Sequence, residues 1–129
     1  MAVSAKTSNH PKRQRFAPAE REQFIIDGAI QFFAEVGFAG QTRELAQRLG
    51  ITQPLLYRYF PTKQDLIERV YDEVFIGRWK TDWERLIDDR AIPLRDRLIG
   101  FYDAYASEAL TYDWIRIYMF AGLAGEDIN

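Results

Sequence analysis

Cysteine is absent from the 129 residues, histidine occurs once, as His10, and methionine twice. Without cysteine there is no disulfide framework and no thiolate chemistry, which agrees with a reducing cytoplasm. His10 sits in a polar N-terminal stretch and not on a helical face, so it is read as inert. A glycine-rich phosphate loop is also missing. Acidic pairs exist, Asp72–Glu73 and Asp88–Asp89, but neighbours in sequence point in different directions on a helix and do not form a catalytic dyad. The chain is therefore expected not to be an enzyme and to need no cofactor or metal. No apolar run reaches the roughly 18 residues of a membrane span. The first fifteen residues are polar and basic, without the apolar core of a secretory signal. No strand alternation, internal repeat or low-complexity tract is present.

What is there is apolar and aromatic enough for a real core: 47% hydrophobic residues, 15% aromatic. The net charge of -2 is unevenly laid out. Residues 1–63 carry nine Lys/Arg against five Asp/Glu, a balance of +4, whereas residues 64–129 carry eight against fourteen, a balance of -6. A basic front and an acidic back suit a protein that presents one end to a polyanion.

Along the chain, residues 1–16 read as a disordered basic tail, whose Lys12–Arg15 run (KRQR) is an arm suited to a minor groove or to non-specific attraction. Pro18, Glu20 and Glu22 suit a helix start. Phe24, Ile25, Ala29, Phe32, Phe33 and Val36 form its apolar stripe, and Gly37 ends it. A second helix is expected over about 41–49, a third over 53–60, and a long fourth over about 63–88 with Leu66, Val70, Val74 and Ile76 inward. Thr62 and Asp65 are spaced as a capping box at its start. Pro93 restarts a fifth helix reaching about Leu110, and Asp113 caps a sixth that fades at Gly122 and Gly125. The expected fold is all-α, with a helix-turn-helix domain over 17–62 and a helical regulatory or dimerisation region over 63–129, read as incomplete.

The densest signal lies between Thr42 and Leu66, TRELAQRLGITQPLLYRYFPTKQDL. Leu45, Ala46 and Leu49 recur at helical spacing. Gly50 follows, where a helix C-terminus favours a left-handed residue. Ile51 plugs the turn into the core, and Thr52 is an N-cap for the next helix. Leu56 and Phe60 are also expected in the core. Two helices joined by a short glycine-containing turn are the helix-turn-helix arrangement, whose second helix enters the major groove. Its outward residues, Gln53, Pro54, Leu55, Tyr57, Arg58 and Tyr59, are of base- and phosphate-contacting types.

This pattern resembles the N-terminal domain of the TetR family of bacterial transcriptional regulators. The resemblance rests on Arg21, Ile25, Ala29, Phe33–Ala34, Gly37–Phe38, Thr42, Leu45–Ala46, Gly50–Ile51–Thr52, Leu56–Tyr57, Tyr59–Phe60, Lys63 and Leu66. Two positions depart from the family pattern. The loop before Leu45 is short, which leaves Gly40 or Gln41 to cap the second helix, and Pro54 stands where Gly is usual.

The resemblance implies a ligand-responsive repressor that binds a palindromic double-stranded DNA operator as a homodimer. A helical protein-interaction module without DNA binding is the alternative. Thr52 is expected to cap the recognition helix and meet a phosphate, and Gln53, Leu55 and Arg58 to read bases. Tyr57, Tyr59 and Lys63 are expected to hold phosphates, with Thr42 and Arg43 as further backbone contacts. Pro54 stiffens the helix start. A small-molecule effector is expected in the second half, walled by Trp79, Trp83, Phe101, Tyr105, Trp114 and Tyr118, with Tyr102 and Tyr112 nearby. Those same aromatics also serve simply to fill a helical bundle.

Overall fold

The computed structural model describes residues 16–125. Its elements are α1 (Pro18–Val36), α2 (Thr42–Leu49), α3 (Gln53–Tyr59), α4 (Lys63–Tyr71), a π-helical turn (Asp72–Ile76), α5 (Thr81–Asp88), α6 (Leu94–Glu108) and α7 (Tyr112–Ala124). The fold is all-α, and no helix among the described residues is long and apolar enough to cross a membrane. The tail with His10 and Lys12–Arg15 lies outside the described residues.

Helix α1 is the spine. Pro18 opens it, where a missing N–H costs nothing, and Gly37 closes it. Its buried residues come in adjacent pairs, Ile25–Ile26, Ala29–Ile30 and Phe32–Phe33, because the helix is covered from more than one side. Phe24 and Val36, expected inward, lie at the margin and are each 39% exposed. Around α1 a single core gathers Phe38, Leu45, Ala46, Leu56, Phe60, Leu66, Ile67, Val70, Tyr71 and Val74, and also Ile117 and Ala121 of α7. Each fully buried aliphatic or aromatic side chain here contributes about 1.5–3 kcal/mol relative to exposure. An aromatic ladder, Phe33–Phe38–Tyr71–Phe75–Trp114, runs from this core out to α7 with centroid spacings of 5.2–5.8 Å.

The expected helix over 63–88 is two helices. Thr62 and Asp65 form the capping box as expected, each side chain bonded to the other's backbone N–H, at 3.0 and 3.1 Å. After Tyr71 the helix widens: the Gly77 N–H reaches Asp72 O at 2.7 Å, five residues back. A Cβ on Gly77 would stand 2.9 Å from Glu73 O, so the widened turn closes only on a residue without one. The extra residue rotates the apolar stripe out of phase. Val74 is still buried, but Ile76 is 69% exposed and the chain leaves helical geometry before α5.

Helices α5 and α6 form a hairpin. Arg97 fastens it by donating to Ile87 O at 2.5 Å and Ile92 O at 2.9 Å, which satisfies carbonyls at the end of α5 and in the loop. Trp83 is the hairpin's buried anchor, and α6 itself buries no residue fully. Asp113 is not the cap of the last helix. Thr111 occupies that position, and Asp113, inside the first turn, turns its carboxylate to Arg78.

Candidate nucleic-acid interface

The turn between α2 and α3 is set by three backbone choices. Gly50 adopts φ 67°, a left-handed conformation that side chains resist, and the Ile51 N–H returns to Ala46 O at 3.0 Å. Thr52 then caps α3, its hydroxyl accepting from the Leu55 N–H at 3.2 Å. Pro54 falls in the first turn, where proline fits. Gln41 occupies the N-cap of α2 without a side-chain bond, which resolves the choice between Gly40 and Gln41.

Leu56 and Phe60, 1% and 6% exposed, pin α3 to the core, and Leu49 and Ile51 pack beside them as partly buried residues. That orientation turns the opposite side of α3 outward. Pro54 and Arg58 are exposed, while Gln53, Leu55, Tyr57 and Tyr59 are half-buried. Arg43, near the start of α2, is exposed as well. Arg48 differs from Arg43 and Arg58. It is held by Glu35 at 2.5 Å and Glu44 at 3.6 Å and lies over the Phe32 ring, and its pKa is raised mainly by the Glu35 hydrogen bond. Its charge is therefore already matched within the protein.

Thr42 is the surprise of this surface. It was expected to face DNA, yet it is 7% exposed and lies beneath α3. Its hydroxyl is 2.7 Å from the Tyr57 hydroxyl and accepts from Gln53 Nε2 at 3.2 Å. Nothing in the spacing of residues 42, 53 and 57 foretells this triad; it forms because the turn lays the first residue of α2 against one side of α3. Lys63, first residue of α4, is half-buried and donates to Phe38 O. An ammonium has three donors, so two remain for an outside acceptor. An open groove of about 580 Å³ lies beside it, between Phe38 and Ile67.

The six aromatics expected around a ligand fall into two groups. Trp79, Trp83, Phe101 and Tyr105 pack on one another at 5.3–6.3 Å between α5 and α6. Trp114 and Tyr118 stack at 5.2 Å on α7 and meet Phe75 instead. None of the six lines the groove beside Lys63.

Comparison with known proteins bears on the same segment. The family model described as "Bacterial regulatory proteins, tetR family" matches residues 25–70. The tetracycline repressor protein class A from transposon 1721 of Escherichia coli is 31% identical over 87 residues, 61% of this chain and 40% of that protein. An HTH-type transcriptional repressor of Mycobacterium tuberculosis is 29% identical over 106 residues, 81% of this chain and 51% of that protein. The HTH-type transcriptional regulator LuxR of Vibrio harveyi is 30% identical over 63 residues, 48% of this chain and 31% of that protein. The chain thus spans about half or less of the length of these relatives. No solved structure gives a significant match. The matched segment coincides with most of α1, the whole of α2 and α3, and α4 almost to its end. Residues 25–70 are a helix-turn-helix DNA-binding domain of the TetR family of bacterial regulatory proteins.

Proposed function

We propose that the protein is a transcriptional regulator that binds a specific DNA operator through α3 and acts as a repressor. The observation that carries this reading is the row along α3 of exposed Pro54 and Arg58 beside half-buried Gln53 and Tyr57, with its cationic member free of any ion pair among the described residues. A base reader, a phosphate donor and an unmatched guanidinium lie along α3, and Arg43 of α2 and Lys63 of α4 add two further cations. Exposed Arg58 and Arg43 supply the salt-dependent attraction to phosphate, and half-buried Gln53 and Leu55 the readout of base edges. Similar proteins are named tetracycline repressor and transcriptional repressor, which supports the same direction of control.

Two further parts belong to the proposal. The protein acts as a homodimer, placing two α3 helices on the halves of a palindrome roughly 34–36 Å apart. Exposed Leu98, Ile99 and Tyr102 on α6 and Ile115, Met119 and Leu123 on α7 offer apolar surface for such pairing. A small-molecule effector, bound in the helices beyond Lys63, shifts the population to a spacing that cannot engage both half-sites. Because Trp79, Trp83, Phe101 and Tyr105 already fill the space between α5 and α6, the effector binds at their margin, towards Trp114 and Tyr118, or by parting them.

The test is equilibrium binding to a randomised duplex pool by fluorescence anisotropy across a salt series. Wild-type affinity is expected to fall steeply with salt. Arg58→Gln should lower the log–log salt slope by about 0.9 per subunit if Arg58 holds a phosphate, or relax one base position by about 1–3 kcal/mol if it reads a base. Binding that is absent, or indifferent to salt, refutes the DNA reading and leaves an interaction module.

A further inference from the structure

Resting on that reading, we infer that Thr42 is a positioning residue that couples a phosphate contact to base choice. Its hydroxyl sits between Tyr57 and Gln53, one turn apart on α3, and joins them in a single hydrogen-bond chain.

The direction of that chain follows from counting protons. A phosphate oxygen only accepts, so a Tyr57 hydroxyl bound to phosphate donates its one proton outward. The 2.7 Å contact between Thr42 and Tyr57 then requires Thr42 to be the donor. Thr42 has no second proton, so the 3.2 Å contact with Gln53 must be donated by the Gln53 amide, as its Nε2 position beside Thr42 Oγ1 allows. Burial keeps water from substituting for either partner, since Thr42 is 7% exposed. The Gln53 amide is thereby locked in one of its two orientations, with the carbonyl oxygen and the remaining N–H directed away from Thr42.

That remaining pair is one acceptor beside one donor. Adenine offers the complement in the major groove, an N6 amino donor next to the N7 acceptor. Guanine presents two acceptors, O6 and N7, and would set its O6 against the Gln53 oxygen. Cytosine offers a single donor, and thymine only an acceptor and a methyl group. A glutamine free to flip would discriminate less. The relay therefore predicts adenine opposite Gln53, with the preference set by a residue that touches no DNA.

The experiment uses the full chain. A preferred duplex is first selected with wild-type protein, and the base pair most weakened by Gln53→Ala is replaced by each of the other three. Wild-type protein should favour adenine there by tenfold or more over guanine. Thr42→Val, which keeps the shape and removes the hydroxyl, should cut that ratio about tenfold while discrimination at other positions is kept, and Thr42→Ser should restore it. Tyr57→Phe should erode the same ratio, because the freed Thr42 proton can then be given to the Gln53 oxygen and the amide can turn over. A purely structural role for Thr42 gives no such base-specific effect from Tyr57.

Failure to select any duplex overturns the proposed function itself. A duplex selected and read with wild-type discrimination by both Thr42→Val and Tyr57→Phe, or weakened by them equally for all four bases, overturns the relay alone. Circular dichroism of each variant checks the fold. If Thr42→Val does not fold, Thr42→Ser and Tyr57→Phe decide the matter: loss of discrimination in Tyr57→Phe with retention in Thr42→Ser supports the relay, and unchanged discrimination in Tyr57→Phe overturns it.

Discussion

Replacing Asp113 by asparagine keeps the shape of the side chain at the start of α7 and removes its charge. In the native protein Arg78 grips this carboxylate with both arms, Nη1 to Oδ1 at 3.0 Å and Nη2 to Oδ2 at 2.7 Å. The Thr111 hydroxyl and the Trp114 N–H donate to the same group. The Arg78 hydrogen bonds, followed by Thr111, the Arg78 charge and the Trp114 N–H, outweigh burial and hold the Asp113 carboxyl at about 2, against an ordinary 3.8. A native pKa below the unfolded one adds stability that is complete above about pH 4 and is lost as pH falls through about 2. A displacement of that size is worth at most about 2.5 kcal/mol. The Arg78 side chain keeps 27% of its exposure, so solvent screening brings the figure towards about 1 kcal/mol. Asp113→Asn should therefore lower the unfolding free energy by about 1–2 kcal/mol at pH 7, with the gap to wild type closing between pH 4 and 2. Urea denaturation followed by circular dichroism at pH 7, 4, 3 and 2.5 measures it, and a double-mutant cycle with Arg78→Met isolates the pair. A variant as stable as wild type at pH 7, or a gap that does not narrow on acidification, refutes the electrostatic account of this contact.

Ile117 is fully buried on α7 within the same core as α1 and α4, so Ile117→Ala should cost about 2–5 kcal/mol in equilibrium unfolding, whereas a loss below about 1 kcal/mol would mean that α7 does not share that core. Thr62→Ala removes the capping-box hydroxyl at the start of α4 and should cost about 1 kcal/mol in the same assay, with Thr62→Ser retaining most of the stability.

The helix-turn-helix domain was legible in the sequence because its determinants are local. Gly50, Thr52 and the Thr62–Asp65 pair each act within three or four residues, and a turn or cap can be read from such a span. The apolar positions Leu45, Ala46, Leu56 and Leu66 needed only helical periodicity. The break in the expected 63–88 helix was not legible for the opposite reason. Val74 continues the stripe of Leu66 and Val70 through the π turn, and no proline interrupts it. The only local mark is Gly77, and a lone glycine inside a helical pattern is ambiguous. Contacts between distant residues were invisible altogether. Periodicity marks Trp79, Trp83, Trp114 and Tyr118 alike as apolar and aromatic, and cannot tell which rings share a cluster. Likewise a polar residue at the start of α2 reads as surface, and only the fold shows Thr42 covered by Tyr57.

The same contacts restrict how a change in the second half can reach α3. The α5–α6 hairpin follows the helix-turn-helix domain through the segment between the π turn and Thr81, where Arg78 is tied to Asp113 and Lys80 to Glu108 at the end of α6. From there two routes lead inward. One follows the chain back through the π turn into α4, whose N-terminus carries Lys63. The other passes through α7, where Ile117 and Ala121 pack in the core and Arg116 donates to Ala34 O at 2.8 Å and Glu35 O at 3.2 Å at the end of α1. Both routes meet Arg78, which follows the π turn and holds the start of α7. A ligand that displaced α5 and α6 as a unit would therefore have to break that ion pair or drag α7 and α4 together, and because α1 is packed against both, the second course would carry the helix-turn-helix domain along as a body.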